Sequence, residues 1–175
     1  MNTHRVIESP LGPLTLLNTD GVLTGVYYEQ HIRMPGRAQL GPATVEGFDR
    51  VVQELAEYLG GRRRQFTVPT APVGSAFQRR VWRLLAQIPY GQTRTYTELA
   101  LELGSAALAR AVGAANGRNP LSIIIPCHRL VGSGGSLVGY AGGVVRKRQL
   151  LIMEGAGGRL RPGVGGYLPA AGWIG

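Results

Sequence analysis

The chain has 175 residues, 44% of them hydrophobic, with a formal net charge of +9 and an isoelectric point near 10.6. This length suits one domain or two small ones that share a core, and the apolar share argues against general disorder. A single cysteine, Cys127, excludes an internal disulfide and any zinc site built on cysteines alone.

The three histidines are scattered without metal-ligand spacing, so we expect no metal site. No apolar run approaches the length of a membrane span, and no signal-peptide core follows the first residues. We therefore expect a cytoplasmic protein with no membrane partner, since an exposed thiol survives in that reducing compartment.

The basic charge indicates a polyanionic partner, although it is equally compatible with a role in solubility alone. Of the 19 basic residues, Lys147 is the only lysine. A lysine kept among arginines suggests a task for a compact point charge rather than a planar fork.

The N-terminal half begins as a β-meander. Alternating residues predict strands over 3–7, 14–17 and 22–28, and Asp20-Gly21 favours a hairpin turn between the last two. Residues 31–42 are rich in Pro, Gly and Arg and predict a surface loop.

A helix is predicted next, closed by Gly60-Gly61. Its apolar face is Phe48, Val51, Val52, Leu55 and Leu59. The run Arg62-Arg63-Arg64 fits either a phosphate contact or a solvated turn after the helix. Residues 66–68 predict a further strand, and residues 69–74 a linker.

The second half is predicted to be mostly helical. Ser75 caps a first helix that ends at Pro89, and Thr95 to Glu98 form a capping box for a short helix that stops at Gly104. Ser105 caps a third helix over about 106–116, and the last two helices have the outline of a helix-turn-helix. The alanines of the third helix reflect either helix propensity or a need for close approach to a surface.

The run Ile123-Ile124-Ile125 predicts a buried strand that Pro126 stops, which places Cys127 just past its end. An unperturbed thiol is mostly protonated at neutral pH, so a nucleophilic role requires a base or cations nearby. His128 and Arg129 follow at once, although neighbouring side chains usually diverge. The alternative is that Cys127 is a buried small hydrophobe.

Several short motifs stand in a fixed order around this cysteine. They are RAVG at residues 110–113, NP at 119–120, IPCHR at 125–129, GYAGG at 139–143, Lys147, and LLIMEG at 150–155. In this order the chain resembles the methylated-DNA–protein-cysteine methyltransferases, also called O6-alkylguanine-DNA alkyltransferases, from about Phe77 to Gly155.

The resemblance implies two packed subdomains and a tail. Residues 1–72 are expected to form an α/β unit with a small sheet of ribonuclease H-like type, and residues 73–155 a mostly α unit that carries the helix-turn-helix and the acceptor pocket. Residues 156–175 read as a glycine-rich tail without helix or strand. The second helix of the helix-turn-helix is expected to enter the minor groove.

The implied chemistry is alkyl transfer from O6-alkylguanine in double-stranded DNA to Cys127, once per molecule and without a cofactor. His128 is expected to take the thiol proton through a bound water, with Glu154 stabilising the imidazolium and Asn119 bracing the site. Tyr96 is expected to donate toward N3 of the departing guanine, and Lys147 to support the charge near O6. These six residues are the expected catalytic set.

Other residues are expected to contact DNA or the flipped base. Arg110 would fill the space left by the flipped nucleotide. The remaining contacts implied by the resemblance are Thr97, Ser105, Ser133, Arg129, Leu130, Tyr140 and Ala141. Ala141 replaces a serine found in some members, which leaves only its backbone amide to approach O6. We expect a monomer in solution, and leave open its cooperative assembly on DNA, its alkyl-size range and its activity on O4-alkylthymine.

Two alternatives stay open. The related alkyltransferase-like proteins carry tryptophan in place of the acceptor and only bind lesions, and Cys127 argues against that assignment. A cysteine hydrolase using Cys127 and His128 would need repeated turnover and an oxyanion hole.

Overall fold

The computed structural model describes residues 1–157. The predicted tail over 156–175 therefore lies outside the described residues, apart from its first two positions. Within the described chain, no helix is both long enough and apolar enough to cross a membrane.

A three-stranded antiparallel sheet opens the fold, in the order β1-β2-β3. Its strands are β1 (Asn2–Ile7), β2 (Leu14–Thr19) and β3 (Val22–Tyr28). Asp20 and Gly21 both have positive φ, at 51° and 82°, as a two-residue hairpin turn of this hand requires. The predicted meander and its turn are confirmed.

The segment after the sheet contains two helices. α1 (Arg37–Leu40) is a single turn within the predicted loop, and α2 (Asp49–Leu59) is the predicted amphipathic helix. The buried face of α2 also includes two residues absent from the predicted stripe, Glu54 and Tyr58.

The predicted strand over 66–68 is wrong. The backbone amides of Thr67 and Val68 donate to the Glu54 carboxylate, at 2.8 and 3.1 Å, instead of to a neighbouring strand. A single parallel bridge between Leu23 and Thr70 is the nearest sheet pairing.

The second half is mostly helical, as predicted. Its helices are α3 (Ala76–Ala86), α4 (Tyr96–Glu102), α5 (Ala109–Gly117) and α6 (Val144–Met153). Ser75 and Thr95 cap α3 and α4 through capping boxes with Gln78 and Glu98.

The helix predicted over 106–116 begins instead as a 3-10 turn, Ala106–Leu108, before α5. α5 extends one residue further than predicted and includes Gly117. Two short strands that were not predicted, β4 (Arg94–Thr95) and β5 (Leu130–Val131), pair in parallel.

The two halves share one core. Side chains of β2, α2, α3 and the segment around Cys127 belong to the same buried cluster. β3 is tied to the second half through its backbone, since Val26 N donates to Pro120 O at 2.8 Å and Ser122 N donates to Val26 O at 3.2 Å. The segment that leads to Cys127 is thereby docked on the N-terminal sheet.

Candidate active site

The predicted strand over Ile123–Ile125 is wrong, although the segment is largely buried as expected. Ile123 has φ of 74°, a left-handed conformation that a β-branched residue adopts at a cost of about 1–3 kcal/mol. Tight turns follow, with Ile125 N donating to Leu121 O at 2.9 Å and Cys127 N to Ile125 O at 2.7 Å. These turns lead directly into the 3-10 turn Cys127–Arg129, which Cys127 begins.

Asn119 holds these turns together from inside. Its Nδ2 donates to Ile125 O at 2.9 Å, and its Oδ1 accepts from Leu121 N at 3.0 Å. It also forms a side-chain hydrogen bond with Cys127. Because Asn119 is 1% exposed, the geometry suits the bracing role expected of it.

Cys127 is a buried thiol in the resting site. Burial raises its pKa, while the hydrogen bond with Asn119 and the charge of Lys147 act in the opposite direction. The sulfur therefore needs a base before it can act as a nucleophile.

Lys147 is fully buried on α6. Burial lowers its pKa to about 8, against the opposing influence of Cys127. Its Nζ donates to Val138 O at 3.1 Å and to Gly139 O at 3.3 Å, so it also holds the loop that closes the pocket.

His128 and Glu154 form a buried pair. His128 Nε2 lies 2.9 Å from Glu154 Oε1, and His128 Nδ1 is buried with no hydrogen-bond partner among residues 1–157. Burial lowers the pKa of His128, which favours a neutral ring that donates from Nε2 and keeps a lone pair on Nδ1. Glu154 is only 5% exposed, so its carboxylate is not simply solvated at the end of α6.

The resemblance implies that Arg129 contacts DNA or the flipped base. Its guanidinium is buried, bonded to both oxygens of Glu154 at 2.8–3.2 Å and to Ile88 O at 2.6 Å. Burial acts to raise the pKa of Glu154, but hydrogen bonds from His128 and Arg129 outweigh it and hold that pKa at about 2. The buried Arg129 side chain therefore lies where it orients Glu154, and its contact with DNA or the flipped base stays a prediction.

Tyr58 is a residue of this site that sequence reasoning missed. Its hydroxyl donates to Glu154 Oε1, and its oxygen lies 3.4 Å from His128 Nε2. The available signal was its position three residues after Leu55 on the apolar face of α2, where a buried tyrosine needs a hydrogen-bond partner.

A cavity of about 360 Å³ borders Tyr96 and Tyr140, two residues whose hydroxyls are influenced by the charge of Cys127. It is lined by Tyr96, by the loop 139–141, by residues of α5 and by 31–33 of the N-terminal half. Tyr96 donates its hydroxyl to Val138 O at 3.1 Å, and the hydroxyls of Tyr140 and Tyr28 are 2.8 Å apart. The pocket is large enough for one base, and Ala141 lies on its wall.

The three residues expected to contact the DNA backbone, and Arg110, lie on the surface, whereas Leu130 does not. Thr97, Ser105, Ser133 and Arg110 are exposed, and Ser105 Oγ also caps the turn before α5 by accepting from Ala107 N at 3.2 Å. Leu130 is fully buried in β5, so only its backbone remains to serve a ligand.

The arginine run after α2 is partly engaged by the protein itself. Arg63 pairs with Glu57 at 2.7 Å, and the Arg64 guanidinium lies 5.3 Å from the centre of the Tyr90 ring. These contacts favour the turn over the phosphate contact. Among residues 1–157, no group of three His, Cys, Asp or Glu side chains is placed to hold a metal ion.

Comparisons with known proteins cover nearly all of the described chain. Residues 2–72 match the ribonuclease-like domain of 6-O-methylguanine DNA methyltransferase, and residues 76–156 match the DNA binding domain of the same family. The methylated-DNA–protein-cysteine methyltransferase of Mycobacterium bovis is 45% identical over 86% of this chain and 91% of its own. The protein of that name from Methanosarcina acetivorans is 40% identical over 87% and 98%.

Solved structures agree in fold. The crystal structure of Mycobacterium tuberculosis OGT in complex with DNA matches with a TM-score of 0.81 and 43% identity, over 90% of this chain and 94% of that one. The structure of the O6-methylguanine methyltransferase from that organism matches with a TM-score of 0.81 and 43% identity, over 94% and 98%.

Proposed function

This chain belongs to the 6-O-methylguanine DNA methyltransferase family, and from that premise we propose that it repairs O6-alkylguanine in duplex DNA by moving the alkyl group to Cys127. The observation that carries the assignment is the buried Cys127–His128–Glu154 cluster, in which His128 Nδ1 has no hydrogen-bond partner among the described residues 1–157. A nucleophile, a base and a carboxylate in this relation have the composition of an activated thiol site.

The proposed reaction begins with proton transfer. His128 Nδ1 takes the proton of Cys127 through a bound water, and Glu154 stabilises the imidazolium at Nε2. The thiolate then attacks the alkyl carbon, so that an S–C bond forms and the C–O6 bond breaks. The electron pair of that bond passes to the guanine, which takes a proton at N3 from Tyr96.

The protons balance once the alkyl group has been transferred. The proton held by His128 returns through solvent to Tyr96, so the net change moves one proton from sulfur to guanine. In the resting site Tyr96 and Lys147 both donate to Val138 O, and guanine binding exchanges this acceptor for the base. The thioether is stable, which makes the reaction a single turnover without a cofactor.

The base reaches the pocket by leaving the duplex. We propose that Arg110 fills its place in the stack, while Thr97, Ser105 and Ser133 meet the DNA backbone. Support comes from the exposed face of α5, where the side chains beside Arg110 are small, such as Ala111 and Ala114. Small side chains allow a helix to approach a narrow groove closely. Because its substrate is DNA and its acceptor is a thiol, we assign the activity to the cytoplasm.

Mass spectrometry tests the proposal. Intact protein incubated with a duplex containing one O6-methylguanine should gain the mass of one methyl group, and peptide mapping should place it on Cys127. The variant C127S should bind the same duplex with similar affinity and gain nothing.

Other outcomes would identify the alternatives. Tight lesion binding without any gain in mass would instead make this a binding module of the alkyltransferase-like kind. Repeated release of product from an ester substrate would make it a hydrolase.

A further inference from the structure

Tyr58 brings the N-terminal half into the proton relay. It lies on α2, is fully buried, and is 96 residues away in sequence from Glu154, to which its hydroxyl donates. The oxygen it binds, Oε1, is the same one that faces His128 Nε2.

The Glu154 carboxylate is held from several sides. Arg129 Nη2 donates to Oε1 at 2.8 Å and Arg129 Nε to Oε2 at 2.9 Å, while Gly91 N lies 3.3 Å from Oε2. Oε1 therefore receives hydrogen bonds from His128, Arg129 and Tyr58 together. Donors that converge on one oxygen share its negative charge, so the bond from Tyr58 sets how much of that charge remains for His128.

Tyr58 remains a neutral hydrogen-bond donor around neutral pH. Burial, followed by the charge of Glu154, raises the pKa of Tyr58 far above its ordinary value. Its hydroxyl therefore does not itself carry the transferred proton.

We propose that Tyr58 is a positioning residue for alkyl transfer, whose hydroxyl orients Glu154 so that Oε1 receives His128 Nε2–H and Nδ1 remains the basic nitrogen. This inference rests on the proposed function and deepens it. It gives the N-terminal subdomain a part in the reaction beyond supporting the fold.

The alternative is that Tyr58 serves only the core. Its ring lies 5.0 Å from Phe66 and 6.0 Å from Tyr90, measured between ring centres. A phenylalanine would keep those contacts and lose only the hydroxyl, so Y58F separates the two roles.

Several charged and titratable groups surround Tyr58 and His128. Glu154, Arg129 and Tyr90 act on Tyr58, and Glu154, Arg129 and Lys147 act on His128. Y58F removes the hydroxyl that bonds Oε1 and lies 3.4 Å from His128 Nε2, so a change in the pH profile reports the loss of that hydroxyl.

The test is the single-turnover rate of methyl transfer from an O6-methylguanine duplex, measured from pH 5.5 to 9. Y58F should be slower by about tenfold at pH 7, less than the 10²–10⁴-fold that a general base contributes. The acid limb of the pH–rate profile of Y58F should move to higher pH, because Oε1 regains negative charge and stabilises the imidazolium form of His128. The matched control Y90F, whose hydroxyl lies 3.4 Å from Met153 O, should keep the wild-type profile.

A second variant covers the case in which Y58F does not fold. Incorporation of 3-fluorotyrosine at position 58 preserves the shape and strengthens the hydroxyl as a donor. Its acid limb should move to lower pH, opposite to that of Y58F.

The possible outcomes distinguish a failure of the role of Tyr58 from a failure of the proposed function. Active wild type with unchanged profiles in the folded variants overturns the role of Tyr58 alone. Wild-type protein that gains no methyl group overturns the proposed function, and this inference with it.

Discussion

Lys147 is a buried cation whose charge acts on the acceptor sulfur. Burial brings its pKa to about 8, so it is charged at neutral pH and neutral in more alkaline solution. The charged form favours the thiolate of Cys127 and also holds the carbonyls of Val138 and Gly139. A single side chain thus acts on the charge of Cys127 and also holds the loop beside the pocket.

We predict that K147M slows methyl transfer on the order of 10²-fold at pH 7, as expected when a charge-stabilising donor is lost from a buried site. The difference should narrow above pH 8, where the wild-type lysine loses its proton. Single-turnover rates of wild type and K147M between pH 6 and 9.5 provide the measurement. A constant ratio of the wild-type rate to the K147M rate across this pH range would contradict the role assigned to the charge of Lys147.

At the level of elements, α5 presents a surface of small residues interrupted by one long cation. Ala111 and Ala114 are exposed beside Arg110, whereas Val112 and Ala115 face the core. Trp82 of α3 fixes the helix from behind by donating Nε1–H to Ala115 O at 2.8 Å. A rigid helix whose exposed side chains are small, apart from Arg110, suits insertion of Arg110 between bases.

We predict that R110A slows transfer from duplex DNA by about tenfold, because an unstacked base costs a few kcal/mol to hold outside the duplex. The loss should be smaller when the same lesion is placed in a single strand, where no partner base opposes extraction. R118A, an exposed arginine just past the end of α5, is the matched control. An equal loss on both substrates would show that Arg110 acts by docking instead.

At the level of the whole molecule, Glu154 is where the two halves meet. It accepts from Tyr58 of the first half and from Arg129, His128 and Gly91 of the second. A buried charge with several partners destabilises the fold strongly when one side is removed. The carboxylate that accepts from His128 therefore also joins the subdomains.

We predict that E154Q lowers the free energy of unfolding by about 3–5 kcal/mol at pH 7. The pKa of Glu154 lies at about 2 in the folded protein, below the ordinary 4.5, so its stabilisation is complete above pH 4.5 and is lost as pH falls toward 2. Urea unfolding from pH 7 to 2.5 should show a weaker pH dependence in E154Q than in wild type.

E54Q is the matched control, because hydrogen bonds around Thr67 and Val68 outweigh burial and hold the pKa of Glu54 at about 2 as well. E54Q should lose part of the acid dependence and keep methyl transfer. Equal stability of E154Q and wild type at pH 7 would contradict the joining role.

Features that depend on neighbouring residues could be predicted from the sequence alone. The caps at Ser75 and Thr95, the Asp20-Gly21 turn and the buried face of α2 all arise from hydrogen bonds and side-chain spacing within a few positions. The order of motifs around Cys127 was equally sufficient to indicate the family.

Contacts between residues far apart in the chain could not be predicted, because they depend on how the elements pack together. Ile123 leaves the extended conformation because Leu121 and Ser122 dock on β3, and residues 66–68 are bound by Glu54 instead of a strand. The bond from Tyr58 to Glu154 joins residues 96 apart in the chain. Periodicity reports which face of an element is buried, but the partner of a buried polar atom is set by the packing of other elements against that face.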